Sequence, residues 1–187
     1  MKKWILPLSA GLCLSFSALH AGGDLAPATE AMAQESHWID AVSFSYGQSK
    51  DKIDIYRLGL QRDFESRWFE SSVGYLSGYY ELSLNYWNGR GDENYGVALS
   101  PVFAYYFNVS ENFHPYLEAG IGASLFSRTR MGPRNLSTNF LFEDRAGIGI
   151  RAGNWDLTFR YMHYSNASIK QPNDGIDIFL GSVAYRF

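Results

Sequence analysis

"LSGYYELSLNYWN", residues 76–88, alternates strictly enough to decide how the chain folds. Leu76, Tyr80, Leu82, Leu84 and Tyr86 share one parity, while Ser77, Glu81, Ser83 and Asn85 share the other. A period of two puts successive side chains on opposite faces of an extended backbone, whereas a helix would repeat every ~3.6 residues. The same split recurs in "YGVALSPVFAYYF", residues 95–107, where Tyr95, Val97, Leu99, Phe103, Tyr105 and Phe107 oppose Gly96, Ala98, Ser100 and Ala104. Both stretches predict strands with one apolar face.

Working outward, eight such segments are expected, near 37–47, 54–64, 76–88, 95–107, 115–127, 140–152, 155–166 and 175–187. Between them lie stretches such as "NGRGDEN", "RMGPRNLST" and "QPNDG", whose Gly, Asn, Pro, Ser and Asp residues favour turns. No stretch past residue 37 reaches the run of about 18 apolar residues that a membrane helix needs. An even number of strands of about ten residues, apolar on one parity, is what a barrel spanning an outer membrane requires.

A soluble β-sandwich would also have one apolar face per strand, so the charges must decide. Arg57, Glu81, Glu118, Glu143, Arg145, Arg151, Asp156 and Arg160 all fall on the polar parity, where they can pair inside a narrow lumen. The fold class expected for residues 37–187 is therefore all-β, an eight-stranded antiparallel transmembrane β-barrel filled by ion pairs. Phe179, Val183, Tyr185 and Phe187 alternate up to a terminal phenylalanine, which resembles the C-terminal signal of bacterial outer-membrane barrels and predicts that location.

The rest of the composition narrows the function classes. With 187 residues one domain is expected, and a net charge of -3 without a lysine and arginine block argues against a nucleic-acid partner. "MKK" followed by "WILPLSAGLCLSFSAL" reads as a signal peptide over residues 1–21, with cleavage after Ala21 or as late as Ala33. The single cysteine, Cys13, falls within it, so the mature chain offers neither a disulfide nor a thiol nucleophile. His37 and His114 lie in separate segments at strand ends, so no metal-ligand cluster and no cofactor are expected.

Candidate chemistry appears where the seventh segment ends. Trp155, Leu157, Phe159 and Tyr161 occupy the lipid-facing parity, and counting on by twos gives His163 and then Ser165. On the eighth segment Phe179, Val183, Tyr185 and Phe187 face outward, which puts Asp177 on the same outer face. A base beside a hydroxyl, oriented by a carboxylate, is the general arrangement of a serine nucleophile. Polar residues at the wet end of a strand leaving the membrane would give the same pattern, and periodicity does not separate the two readings.

"HYSNASIKQPNDGID", residues 163–177, closely resembles the strand, loop and strand of the PagL-type lipid A 3-O-deacylases. The resemblance extends in order through "YRLGL" (56–60), "SPVFAYYF" (100–107), "PYLEAGIGASLFS" (115–127) and "FEDRAGIG" (142–149). It implies an outer-membrane serine esterase that acts on lipid A of lipopolysaccharide, with His163 as base, Ser165 as nucleophile and Asp177 as orienting acid. Asn166 and Asn173 become candidates for binding the oxyanion or holding the loop, and Phe142 and Tyr161 candidates for acyl-chain contact. The family pattern has a glutamate where this chain has Asp177, so Asp174 is the substitute acid to consider. A non-catalytic structural or adhesive barrel, or another lipid-modifying barrel such as an acyltransferase or phospholipase, are the competing functions. The sequence leaves a homodimer open as a partner state.

Overall fold

A computed structural model of the chain describes residues 38–187. The signal segment 1–21, the later cleavage point at 33, Cys13 and His37 lie outside the described residues. The barrel strands are β1 (Ala41–Ser49), β2 (Asp54–Asp63), β3 (Gly74–Gly89), β4 (Asp92–Phe107), β5 (Phe113–Phe126), β8 (Phe140–Ala152), β9 (Trp155–Ser165) and β10 (Ile176–Arg186). A short hairpin, β6 (Arg130–Met131) with β7 (Arg134–Asn135), is inserted between β5 and β8. Each barrel strand pairs antiparallel with its neighbours in chain order, and β1 closes on β10 from Ala41↔Arg186 to Ser49↔Ile178. Closure leaves no unpaired strand edge.

Parity sorts the side chains as alternation predicts. Leu82, Leu84, Leu157 and Phe159 are exposed on the wall, whereas Arg57, Glu81, Glu143, Arg145 and Arg160 are buried in the lumen. Arg57 donates from Nη1 to Glu143 Oε2 at 2.7 Å and from Nη2 to Glu81 Oε1 at 2.8 Å. Arg145 reaches the same two carboxylates, Arg160 pairs with Glu118, and Arg151 with Asp156 at 3.1 Å. Buried charges survive only when each is met by partners of opposite sign, and this interlocked set supplies them.

Three features differ from the sequence reading. "NGRGDEN" contracts to the two-residue turn Arg90–Gly91, with φ of +55° and +84°, the backbone that a tight hairpin demands at both central positions. β3 and β4 consequently extend to 16 residues each. "RMGPRNLST", expected only as a turn between strands, contains the β6–β7 hairpin. The inner parity is also not limited to small and polar residues. Trp87, Phe126 and Tyr164 point inward, the first two with ring centroids 4.1 Å apart, and pack with Ile53, Met131, Leu136, Leu141, Met162 and Ile176. This apolar cap closes the lumen where loops 50–53, 127–139 and 166–175 gather, because those loops need something apolar to fold down onto.

Candidate active site on the outer wall

β9 ends at Ser165 and β10 begins at Ile176, so loop 166–175 spans the site. The β9–β10 register sets His163 opposite Asp177 and Tyr161 opposite Phe179, all on the outward parity. The side chains of His163 and Asp177 are 36% and 35% exposed. His163 Nδ1 lies 2.8 Å from Asp177 Oδ1. An ionised carboxylate only accepts, so Nδ1–H is the donor and Nε2 is left to accept a proton.

Gly175 shapes the other side of the imidazole. It directly precedes β10, and a Cβ there would fall 2.8 Å from His163 Cε1 and 3.4 Å from Nε2. The missing side chain therefore keeps open the space beside Cε1 and Nε2. Its φ of +60° independently favours glycine. Ser165 itself lies opposite Phe142 of β8, and its Oγ accepts the Ala167 N–H at 3.4 Å. Among the described residues the hydroxyl does not hydrogen-bond the imidazole. The fold thus joins His163 to Asp177 and leaves Ser165 on the same face of β9.

Loop 166–175 is tied down from below. Asn166 is fully buried, and its Nδ2 donates to the Leu136 and Lys170 carbonyls at 2.8 Å each. Its backbone N–H donates to Asn173 Oδ1 at 3.0 Å. The Asp174 carboxylate accepts the Asn135 N–H at 2.7 Å, so this alternative acid turns toward β7 and not toward His163. Arg134 bridges the loops, donating to Asp51 Oδ2 at 2.6 Å and to the Asp174 carbonyl at 3.2 Å. The Asp51 hydrogen bond raises the Arg134 guanidinium above the usual arginine range, which fixes it as a cation. Ala167 and Ser168 adopt φ of +50° and +64°, an unfavourable backbone for residues with a side chain that the anchored loop sustains.

The remaining candidates face outward as expected, but not all with the same consequence. Phe142 packs edge-on against Phe140 with centroids 5.1 Å apart. Tyr161 presents its ring to the wall and commits its phenol to Asp177 Oδ1 at 2.7 Å. Two charged neighbours were missing from the sequence reading. Asp144 lies opposite His163 on β8, beside a groove of about 540 Å³ lined by Pro101, Phe103, Ala119 and Ile121. Counting by twos from Phe142 would have found it. Lys50 Nζ stands 3.9 Å from Asp177 Oδ2, a contact across 127 residues that no local pattern announces. Among the described residues no group of His, Cys, Asp and Glu is arranged to hold a metal.

With its charges paired inside and large apolar side chains outside, the closed eight-stranded barrel falls in the class of small β-barrels of outer-membrane type. The sequence model of the family described as lipid A 3-O-deacylase (PagL) matches residues 54–186, and the chain belongs to that family. It is 42% identical over 142 residues to the lipid A deacylase PagL of Pseudomonas aeruginosa, covering 74% of this chain and 81% of the relative. It is 33% identical over 166 residues to the lipid A deacylase PagL of Bordetella bronchiseptica, covering 84% and 89%. The fold is similar to the crystal structure of the outer membrane enzyme PagL, with a TM-score of 0.75 and 38% identity over 79% of this chain and 99% of that chain.

Proposed function

We propose that this chain is an outer-membrane lipid A 3-O-deacylase that works as a serine esterase through Ser165, His163 and Asp177. Family membership supports the reaction, and the observation that carries the mechanism is the His163–Asp177 hydrogen bond on the outer wall, two residues before Ser165. With Nδ1–H given to Asp177, Nε2 takes the Ser165 proton as Oγ attacks the ester carbonyl of the 3-hydroxyacyl chain. The tetrahedral intermediate collapses with cleavage of the bond to the sugar oxygen, which leaves with the proton held by His163. Water then attacks the acyl-enzyme, gives its proton to Nε2, and the free 3-hydroxy fatty acid departs as Ser165 recovers its hydrogen. The contact between serine and imidazole is the one that substrate must tighten, as catalytic hydrogen bonds do in many resting enzymes.

The donors for the oxyanion divide between the two asparagines. Both Asn166 donors are committed to loop carbonyls and to Asn173, which suits a role in holding the loop. Asn173 uses Oδ1 to accept, and its Nδ2 makes no hydrogen bond among the described residues, so Asn173 is the better oxyanion donor. Phe142 and the Tyr161 ring supply acyl-chain contact. The apolar wall supports an outer-leaflet substrate whose chains already lie against it, so no internal cavity is needed.

Mass spectrometry of lipid A from cells with and without the chain tests the reading. Loss of one 3-hydroxyacyl chain supports it, an unchanged profile favours a structural barrel, and added or exchanged chains favour an acyltransferase. Ser165→Ala should end turnover while leaving a heat-modifiable barrel.

A further inference from the structure

The carboxylate that orients His163 is held by more than the histidine. Tyr161 and His163 stand two residues apart on the same face of β9, and both donate to Oδ1 of Asp177, at 2.7 and 2.8 Å. The Tyr161 ring is itself braced. It leans on Phe179 with centroids 5.3 Å apart, and Phe179 stacks on Phe159 at 6.2 Å with planes 12° from parallel. Phenol and imidazole thus approach one oxygen from neighbouring positions along the strand, while Lys50 faces the other oxygen at 3.9 Å.

An aspartate carboxylate turns about a soft terminal torsion, so a single donor leaves its plane poorly fixed. An ionised oxygen has room for two donors, and the second removes that freedom. Besides Tyr161 and His163, only the Lys50 ammonium stands near the Asp177 carboxylate among the described contacts, and it faces the other oxygen. We propose that Tyr161 is a positioning residue, its phenol locking the Asp177 carboxylate so that Oδ1 stays aimed at His163 Nδ1. The assignment rests on the esterase reading above. It gives the phenol a task distinct from that of the ring, which an acyl chain could use equally well without its hydroxyl.

The two tasks separate experimentally in the full chain, folded in detergent micelles, with lipid A as substrate and released 3-hydroxy fatty acid measured over time. Tyr161→Phe removes one hydroxyl from a partly exposed position, and heat-modifiable mobility checks that the barrel forms. Its kcat should fall about 10-fold or more, the scale for losing a hydrogen bond to a charged group, with KM within about twofold of wild type. Tyr161→Leu, which also removes the ring, should match that fall in kcat and raise KM. A Tyr161→Phe enzyme with kcat within about twofold of wild type overturns the proposal, as does a rise in KM with kcat unchanged. Turnover that survives Ser165→Ala would instead overturn the esterase reading itself, and this assignment with it.

Discussion

Replacing Gly175 by alanine is the sharpest test of where the imidazole must stand. The new Cβ would meet His163 Cε1 at 2.8 Å, while carbon atoms in contact prefer about 3.5–4.0 Å. The ring must therefore retreat by about 0.7 Å or more. Retreat stretches or bends the 2.8 Å bond to Asp177 and shifts Nε2 from its present place beside β9. A misplacement of about 1 Å can cost about 100-fold in rate, so Gly175→Ala should lower kcat by about 10- to 100-fold. Alanine at φ of +60° adds backbone strain of about 1–2 kcal/mol, which has to be separated from the steric effect. Gly153 provides the control, because its φ is +55° and nothing lies within 4 Å of its missing Cβ. Both variants should lose the backbone-strain energy in a denaturant titration, Gly175→Ala somewhat more because of its overlap, while only Gly175→Ala loses turnover of lipid A followed by mass spectrometry. Equal rates for the two variants, within about twofold, would refute the placement of the imidazole argued above.

Other consequences follow from the same geometry. Asn173→Asp keeps an oxygen for the Asn166 N–H but removes the amide donor, and kcat should fall by about 100- to 1,000-fold in the same assay; a rate within threefold of wild type would assign the oxyanion elsewhere. Asn166→Ala deletes the two donations to Leu136 and Lys170, so limited proteolysis should begin to cut within 166–175 while the barrel core resists. Arg57→Met leaves Glu81 and Glu143 each short of a buried partner, at a cost of about 3–5 kcal/mol seen as a lower denaturation midpoint, yet the folded fraction should keep kcat within about threefold. A fall in kcat without a change in midpoint would contradict that division of roles.

Much of this architecture was legible because a two-residue period has only two phases. Once Leu82 and Leu84 are outward, Glu81 and Ser83 have nowhere to go but in, and the same counting carries His163, Ser165 and Asp177 onto the wall. Counting places a side chain in or out but does not name its partner. Tyr161 and Tyr164 look alike in sequence, yet one bonds Asp177 outside and the other Glu143 inside. Partnerships made by loops were equally hidden, since Asn166 meets Leu136 only after the β6–β7 hairpin has folded over the lumen. Turn composition misled at "NGRGDEN", where Arg90 accepts a positive φ and shortens the loop to two residues.

The two phases also explain how a strand can serve stability and chemistry at once. Tyr164 lies between His163 and Ser165 and points the opposite way, donating to Glu143 Oε2 at 2.6 Å inside the lumen. That bond, with the ladders to β8 and β10, fixes the rotation of β9 about its own axis. Since neighbouring side chains on a strand must diverge, anchoring Tyr164 inward obliges its two neighbours to project outward. A register slip of one residue would bring the imidazole into a lumen already filled with guanidinium groups and would expose a carboxylate network to an apolar wall, so the slipped state is excluded by charge as well as by packing. The ion-paired interior therefore acts on the wall site without touching it: it selects the single register in which His163, Ser165 and Asp177 share the outer face.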